Sequence, residues 1–352
     1  MMVKMLARYS RNGASSRLRF LQYRAELQTA GIESEFSPLF SENYLDKLYS
    51  GRNTFVSAFR SYFGRGSELL SRSANDLLWI QSESLPWLPW AIEAGLLPRQ
   101  VPRVVDCDDA IFHRYDLHRK AAVRSLLGSK VDRLMESSSL VTAGNEYLAE
   151  RAHAAGAQRV EIVPTVVDMK RYACKSASDY KSDPVIGWIG SPSTWREYMV
   201  PLIPTLAEIA KLENARIHAV GGEASGDALV DTIPWVESEE ATRLRSMDIG
   251  IMPLTDTPWS RGKCGYKLIQ YMASGLPVVA SPVGVNAEIV EDGVNGFLAS
   301  SPAEWREALT VLLRDPDLRH KMGVEGRKKV EKQYSLSVWG PKVACLLKQV
   351  MG

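Results

Sequence analysis

The sequence predicts an α/β protein with two doubly wound domains, each built on a parallel sheet. Three observations predict this class. Short apolar runs alternate with helical patterns along most of the chain. The alternation stops at a polar stretch, residues 167–184, which ends in proline and is interpreted as a linker, and then resumes. The length of 352 residues, 45% of them hydrophobic, suffices for two hydrophobic cores.

The first domain is predicted at residues 1–166. It begins with a strand at 3–7, a loop that holds Gly13, and a helix from Ser15 or Ser16 to about Thr29. Further buried strands are predicted at 77–80, 103–107, 139–144 and 160–164, and helices at 118–137 and 145–155. This order is typical of a sheet covered by helices on both faces.

The second domain is predicted at residues 185–335 and repeats the alternation of the first. Its strands are predicted at 185–190, 216–222, 248–254, 276–281 and 296–299, and its helices at 196–212, from Tyr266, at 302–314 and at 317–332. A last segment, 336–352, is predicted as a separate helix, with a return to the first domain as one option. Two such domains facing each other across a cleft would bind a ligand at the carboxyl ends of their strands.

Composition and charge exclude several classes of protein. A formal net charge of +2 is too balanced to favour nucleic-acid binding. The four cysteines are scattered and lack metal-ligand spacing, so neither a disulfide framework nor a zinc site is predicted, and a reducing cytoplasm fits. No signal-peptide run and no window of about eighteen apolar residues is found. We therefore expect a cytoplasmic protein that does not span a membrane, with contact to a membrane surface left open.

The segment 248–299 carries the pattern that points most directly to chemistry. A predicted strand ends at Leu254, and Gly262 and Gly265 precede the helix from Tyr266. Backbone amides at a helix start favour phosphate because they point outward at the positive end of the helix dipole. The amides belong to Cys264, Gly265, Tyr266 and Lys267, and the added cationic side chains to Arg261 and Lys263. The alternative is a basic surface loop followed by a core helix.

Two stretches in this segment, "YMASGLPVVASPVG" (271–284) and "EIVEDGVNGFLA" (288–299), resemble glycosyltransferase family 4. The resemblance implies the GT-B fold of two Rossmann-like domains. It implies a nucleotide-diphosphate sugar (UDP-, GDP- or dTDP-linked) as the donor substrate, with no cofactor and no metal. It also implies transfer of a hexose-type sugar, with retention of configuration, to a glycan, a lipid-linked acceptor or a small molecule.

The sequence departs from that family at one pair of positions. The family places two glutamates eight positions apart, the first near the donor sugar and the second on the ribose hydroxyls, and the matching residues here are Gly262 and Gln270. Gln270 can still hydrogen-bond a ribose, whereas Gly262 has no side chain to contact the sugar. The loss of both acids keeps a second hypothesis open, a non-catalytic module that binds a nucleotide sugar or a partner. A dehydrogenase is disfavoured because no GxGxxG follows the first strand.

The resemblance also implies ligand contacts for several other residues. Gly190 and Ser191, with Ser193, follow the second domain's first strand, where the family keeps a loop beside the diphosphate; a turn that caps the next helix is the alternative. Glu288 is expected to hydrogen-bond the donor sugar or to support its loop. The expected base pocket begins at Gly221 and Gly222 and is lined by residues 235–237, including Trp235 and Val236.

In the first domain, Asp106, Asp108 and Asp109 crowd the end of a predicted strand. Carboxylates this close repel unless a cation or hydrogen-bond donors are present, which indicates a site. We assign orientation of the acceptor to Asp108 and Asp109; a DxD metal site, or simple loop hydrogen bonds, are the alternatives. His113 stands further along the same loop, where many family members place a histidine near the donor sugar.

Four arginines surround the first glycine loop: Arg8, Arg11, Arg17 and Arg19. They are candidates for contact with a donor or acceptor phosphate, except Arg19, which we assign to a solvated helix face. Cys264 lies among the predicted phosphate-binding residues, but nothing nearby supplies the base that a nucleophile needs. We therefore expect no covalent role for Cys264.

Two stretches combine aromatic residues with arginine or tryptophan, at 55–73 and 85–97. The first contains Phe55, Phe59, Tyr62 and Phe63 together with Arg60, Arg65 and Arg72. This composition suits the surface of a membrane, where a lipid-linked acceptor would be found. The alternative, which the pattern favours, is a helix whose apolar face packs on the core.

Overall fold

The chain, here a computed structural model, is described for residues 1–42, 44, 47, 52–71, 75–179 and 183–352. Residues 180–182 of the predicted linker lie outside this range, and so does Arg72. Two units make up the described chain. The first comprises Met1–Thr165, Gly262–Cys264 and Leu336–Gly352, and the second comprises Val166–Arg261 and Gly265–Ser335.

The first unit contains a six-stranded parallel sheet in the order β2-β1-β3-β4-β5-β6. Its strands are β1 Met2–Tyr9, β2 Glu33–Phe40, β3 Leu77–Gln81, β4 Arg103–Cys107, β5 Leu140–Ala143 and β6 Val160–Ile162. Five of them confirm the predicted strands. β2 was not predicted because it lies at the sheet edge, where only its last two residues, Leu39 and Phe40, are buried and no continuous apolar run forms.

The helices of the first unit include the predicted helix to Thr29, which is continuous but changes its turn type along its length. Its segments are a π-helix at Ser16–Phe20, a 3₁₀ turn at Leu21–Tyr23 and an α-helix at Arg24–Thr29. The remaining α-helices are Phe55–Leu70, Trp90–Leu96, His113–Asp116, Ala121–Leu127, Lys130–Glu136, Glu146–Ala154 and Leu336–Met351. The single helix predicted at 118–137 is therefore wrong; the chain breaks it at residues 128–129.

The pattern of the helix Phe55–Leu70 favoured an apolar face packed on the core, but three of its phenylalanines face solvent. Phe55, Phe59 and Phe63 are 74%, 68% and 73% exposed. Arg65, on the opposite side, is buried, because its guanidinium donates to the carbonyl of Ser37 and pairs with Glu68. Residues spaced by four share one helix face, so the three phenylalanines form an apolar stripe on the surface of the first unit.

The second unit contains a parallel sheet in the order β12-β11-β10-β7-β8-β9. Its strands are β7 Val185–Ile189, β8 Arg216–Val220, β9 Val230–Ile233, β10 Ile249–Met252, β11 Val278–Ala280 and β12 Gly296–Leu298. β9 was not predicted, again because it is a half-exposed edge strand. The second sheet therefore matches the doubly wound prediction for this half of the chain.

Helices flank the second sheet, and the two predicted at its end are confirmed as Pro302–Arg314 and Pro316–Gln333. The predicted helix at 196–212 is interrupted near its prolines into a π-helix at Trp195–Met199 and an α-helix at Ile203–Leu212. The other α-helices are Pro192–Thr194, Glu240–Arg245, Pro258–Arg261, Tyr266–Ala273 and Asn286–Ile289. Short 3₁₀ turns lie at Met169–Arg171, Ala177–Asp179 and Glu237–Glu239.

One close contact fixes the helix Tyr266–Ala273 on its sheet. A β-carbon at Gly250, in the middle of β10, would lie 2.2 Å from Cγ of Tyr271. The Tyr271 hydroxyl also accepts a hydrogen bond from the amide of Ile189 in β7, at 3.0 Å. Because interiors pack to near-crystalline density, glycine at position 250 lets this helix approach the sheet closely and sets where its first turn lies.

Candidate functional site

The candidate site of the second unit lies at the carboxyl ends of β7 and β10. From β7 the chain continues outward to β8 and β9, while β10 leads to β11 and β12 on the other side, so the strand order reverses between β7 and β10. In doubly wound sheets a ligand binds at this reversal, outside the carboxyl ends of the strands. The loops that follow β7 and β10 contain Gly190 and Gly265 respectively.

Three of the predicted glycines meet at the ends of β7 and β8. Gly221 has φ +77°, and a β-carbon there would lie 2.2 Å from the carbonyl oxygen of Gly190 and 3.4 Å from Cβ of Trp235. A β-carbon at Gly222 would lie 3.0 Å from the ring of Trp195. The structure therefore brings Gly190, Gly221, Gly222 and Trp235 together, and Val236 follows with 44% exposure.

In the loop after β7, Ser191 caps the next helix, as the alternative interpretation of this loop predicted. Its hydroxyl accepts from the amide of Thr194, and the side chain of Thr194 accepts in return from the amide of Ser191, which forms a capping box. Ser193 lies within hydrogen-bonding distance, with 3.0 Å between the two serine hydroxyl oxygens. Ser191 thus begins the helix Pro192–Thr194 whether or not it also contacts a ligand.

The helix Tyr266–Ala273 begins where the sequence predicted, at Tyr266, with Gly265 as its N-cap residue. Gly265 has φ +63°, and no side chain caps this helix start. A β-carbon at position 265 would lie 2.3 Å from Cδ1 of Ile289, so only glycine fits there. The amides of the first turn lie at the positive end of the helix dipole, which is the arrangement that favours an anion. Lys267, in this first turn, lies with Nζ 5.8 Å from the ring centroid of Trp188.

The guanidinium of Arg261 is paired with a carboxylate. Its guanidinium binds Asp256 through two hydrogen bonds, at 2.7 and 2.9 Å, and each side chain is about half exposed (52% and 54%). This pairing lowers the pKa of Asp256. The prediction treated Arg261 as a source of full positive charge, and Asp256 offsets part of that charge.

The residues Gly262–Cys264 pack within the first unit. The carbonyl of Lys263 accepts a hydrogen bond from Nδ2 of Asn145, at 2.9 Å, and Oδ1 of Asn145 accepts from the amide of Leu148 to cap the helix Glu146–Ala154. The thiol of Cys264 donates to the carbonyl of Asp108, at 3.0 Å. Burial raises the pKa of that thiol, so it stays protonated and is a poor nucleophile.

The acidic cluster after β4 divides into two parts. Asp106 forms a buried ion pair with Arg19, at 2.9 and 2.7 Å, and also accepts from the hydroxyl of Thr142. The assignment of Arg19 to a solvated face is therefore wrong, since Arg19 is 1% exposed and donates further to the carbonyl of Val163. Asp106 is saturated by these donors and does not take part in a ligand set.

Asp108 and Asp109 remain at the carboxyl end of β4 and are half-buried. Burial, followed by the charges of Asp109 and Asp106, raises the pKa of Asp108 to about 7. At neutral pH its carboxyl group therefore exchanges between a hydrogen-bond donor and an acceptor. In the described part of the chain, no group of three or more His, Cys, Asp or Glu side chains is arranged to hold a metal ion.

Comparison with known proteins gives a family match over part of the chain and a fold match over almost all of it. Residues 183–315 match the family model described as Glycosyl transferases group 1. Solved structures with the same fold include sucrose-phosphate synthase from Thermosynechococcus elongatus (TM-score 0.70, 14% identity, covering 99% of this chain and 98% of that one). The Anabaena protein HepE, in complex with UDP and glucose, gives a TM-score of 0.71 at 16% identity over 99% of this chain and 100% of that one. The chain has the GT-B fold, and its residues 183–315 match the glycosyltransferase family model.

Curated relatives of this GT-B chain match it over shorter stretches. D-inositol 3-phosphate glycosyltransferase from Paenarthrobacter aurescens is 31% identical over 108 residues, which is 30% of this chain and 25% of the relative. The protein of the same name from Nocardia farcinica is 25% identical over 202 residues, 49% of this chain and 44% of the relative. The chain therefore spans less than half the length of these two relatives.

The two positions at which this GT-B chain lacks the expected acids have structural explanations. A β-carbon at Gly262 would lie 2.5 Å from Cβ of Ala110, so a glutamate has no room there. Gln270 is 2% exposed, and its Nε2 donates to the hydroxyl of Tyr172 at 3.1 Å. That hydroxyl donates to Glu240, which also accepts from Nε1 of Trp235 at 2.9 Å. Gln270 therefore belongs to a buried network that reaches the predicted base pocket.

Glu288 lies apart from that network. It is exposed on the helix Asn286–Ile289, its carbonyl accepts from Nζ of Lys329, and its carboxylate contributes to the raised pKa of Tyr334. Sequence reasoning missed Asn145, Asp256, Tyr172 and Glu240. Of these, Asn145 carried a signal, because asparagine directly before a helical pattern indicates an N-cap. Tyr172 and Glu240 carried none, because their contacts join residues far apart in the sequence.

Proposed function

We propose that this chain is a retaining, metal-independent glycosyltransferase that moves a hexose-type sugar from a UDP-, GDP- or dTDP-sugar to a glycan, lipid-linked or small-molecule acceptor. One observation carries the proposal. The uncapped helix start at Gly265 follows the strand-order reversal of the second sheet, where Gly190 and Gly221 end β7 and β8. A helix start of this kind favours a diphosphate. The complexes of HepE with UDP and with UDP-glucose agree with such a donor.

The proposed chemistry needs charge stabilisation more than it needs a base. As the bond from the sugar to the diphosphate breaks, negative charge grows on the leaving phosphate. The acceptor oxygen bonds to the anomeric carbon on the same face of the sugar, and its proton passes to that phosphate. The amides of Cys264, Gly265, Tyr266 and Lys267, with Arg261 and Lys263, would stabilise this charge. Gln270 would contact the ribose and Glu288 the donor sugar, while Asp108 and Asp109 orient the acceptor.

A thermal-shift screen with UDP, GDP and dTDP tests the donor site, because a ligand that binds only the folded state raises the melting temperature. The nucleotide that gives the largest shift is then used with Lys263→Ala. We expect this variant to lose about 100-fold in turnover while its melting temperature without ligand stays unchanged. Lys211→Ala, an exposed lysine of the second unit, is the control. Near-normal transfer by Lys263→Ala would refute the assignment.

A non-catalytic module is the second candidate. The packing of Gly262 against Ala110 favours it, because the acid that the family places near the donor sugar cannot be accommodated there. Transfer and hydrolysis assays with a panel of UDP-, GDP- and dTDP-sugars separate the two candidates. Any robust turnover eliminates the module, whereas nucleotide binding without turnover across the panel eliminates the enzyme.

We also propose that the stripe of Phe55, Phe59 and Phe63 contacts a membrane surface from the cytoplasm. The only acid of the helix Phe55–Leu70, Glu68, is paired with Lys4 and Arg65, and Arg60 is exposed, so the outer face is apolar and basic. No helix in the described ranges is long and apolar enough to cross a membrane. The exposed thiols of Cys174 and Cys345, both unpaired, fit a reducing compartment.

Sedimentation with liposomes tests this contact. At low salt, vesicles that contain anionic lipid should carry the protein down, and the double variant Phe59→Ser and Phe63→Ser should stay in the supernatant. Leu212→Ser is the control, since Leu212 is 70% exposed on the second unit. Equal sedimentation of both variants, or none for the parent protein, would remove the proposal.

A further inference from the structure

Two polar side-chain atoms at the carboxyl end of β1 are buried without a hydrogen-bond partner. They are Nε of Arg8 and Oγ of Ser10. Arg8 is the last residue but one of β1, and Ser10 follows the strand directly. Buried polar groups in folded proteins nearly always have a hydrogen-bond partner, so two without one within three residues need an explanation.

The nearest acid does not supply the missing partner. Nη1 of Arg8 lies 3.8 Å from Oε1 of Glu83, which is too long for a hydrogen bond. Both oxygens of Glu83 already accept from the hydroxyl of Tyr115, at 2.9 and 2.8 Å, and Oε2 also binds Nζ of Lys130 at 2.8 Å. Glu83 is therefore engaged by Tyr115 and Lys130, while Nε of Arg8 has no hydrogen-bond partner and keeps capacity for an oxyanion.

A second guanidinium acts on the same region. Arg114, on the helix His113–Asp116, is half-buried. Burial and then the charge of Arg8 lower its pKa, while the charges of Tyr9, Asp109 and Glu83 act in the opposite direction. Two guanidiniums that repel each other are both stabilised when an anion binds to them. The side chain of Arg8 is 17% exposed, so a ligand can reach it from solvent.

The position of these residues in the sheet agrees with a ligand site. The first sheet has the order β2-β1-β3, so its strand order reverses between β1 and β3. Arg8 lies at the carboxyl end of β1, and Glu83 comes just after β3. Ligands of doubly wound sheets bind at this reversal, and here it presents a cationic side chain and an unpartnered hydroxyl.

We propose that Arg8, Ser10 and Arg114 form an anion subsite in the first unit, which binds a phosphate group carried by the sugar acceptor. This inference rests on the proposed function, because it names the chemical class of the acceptor. The phosphate oxygens would accept from Nε of Arg8, from the hydroxyl of Ser10 and from the guanidinium of Arg114.

Calorimetric titration of the full chain with methyl phosphate tests the subsite. The nucleoside diphosphate chosen in the thermal-shift screen is kept saturating, so that the donor site is occupied. We expect methyl phosphate to bind, and Arg8→Gln and Arg114→Gln each to weaken it more than about tenfold. Ser10→Ala should weaken it less. Arg24→Gln, an exposed arginine of the same unit, should bind as the parent protein does.

The outcomes separate this inference from the proposed function. Nucleotide binding without methyl phosphate binding, or unchanged binding in both arginine variants, would overturn the subsite and leave the donor site standing. If no nucleotide binds, the titration is run without one. Methyl phosphate binding that is lost in Arg114→Gln but kept in Lys263→Ala then supports the subsite. If Arg8→Gln does not fold, Arg114→Gln and Ser10→Ala decide. The acceptor phosphate could be a monoester, as on a phosphorylated sugar, or a diester, as on a lipid-linked sugar. Binding of methyl phosphate alone indicates the monoester, whereas binding of dimethyl phosphate as well indicates the diester.

Discussion

The carboxyl group of Asp108 titrates close to neutral pH in the folded protein. Its pKa is about 7 in the folded chain and 3.8 when it is unperturbed, because burial and the neighbouring aspartates disfavour the carboxylate. Between these values the folded state keeps a proton that the unfolded state has lost. The contribution of Asp108 to stability is thus full below about pH 4, falls as the pH rises through 7, and is constant above.

We therefore expect Asp108→Asn to raise the melting temperature by a few degrees at pH 8 and by much less at pH 5. Thermal unfolding of the parent protein and the variant across this range measures the difference. Asp109→Asn is the matched second variant, since removal of its charge should move the titration of Asp108 to lower pH. Melting curves that stay parallel across the range would show that Asp108 does not titrate there.

Single residues also show where prediction from the sequence ends. Glycines before a helix predicted the start at Gly265, because that pattern is local. Arg19 was assigned to solvent because its partner Asp106 is 87 positions away, and nothing in the helix pattern marks a buried arginine. In the same way, the packing of Gly262 on Ala110 depends on tertiary contact. Local rules find backbone sites, whereas buried charges require the fold.

At the scale of elements, one side chain, that of Asn145, hydrogen-bonds both the helix Glu146–Ala154 and the loop at Lys263. Its Oδ1 caps the helix and its Nδ2 holds the carbonyl of Lys263. Asn145→Ala removes both bonds. It should lower the free energy of unfolding by about 1 kcal/mol through the lost cap, and it should also lower turnover. Asn145→Asp keeps the cap acceptor and loses only the donor. We expect urea unfolding of this variant to stay near that of the parent protein while transfer falls; equal transfer would contradict a role for the loop.

Elements with a fully buried face were predicted, and edge elements were not. The strand β10 is buried throughout, so its apolar run is visible in the sequence. The strands β2 and β9 lie at sheet edges and keep polar residues on their open sides, so they carry no such run. The helix Phe55–Leu70 misleads for a related reason. Hydrophobic periodicity identifies a face, but it does not tell whether that face meets a core or something outside the chain.

At the scale of the whole molecule, alternation of strands and helices predicted both sheets, because parallel strands need crossover connections and those are usually helical. Alternation left open how the chain is shared between the units, with a return of the segment 336–352 to the first domain as one option. The helix Leu336–Met351 follows the second unit in sequence and packs in the first, against the helix Arg24–Thr29 and against β3 and β4. The first unit therefore assembles its core from segments more than 300 residues apart.

This arrangement predicts that damage to the helix Leu336–Met351 weakens the first unit selectively. Leu347 is 1% exposed, and Leu347→Ala should lower stability by about 2–5 kcal/mol through the cavity that it leaves. Hydrogen–deuterium exchange is expected to accelerate in β1, β3 and β4 and to stay unchanged in β7 and β10. Lys348→Ala, exposed on the same helix, should alter neither set. Equal acceleration in both sheets would mean that the units unfold together, and the helix would then stabilise the molecule as a whole.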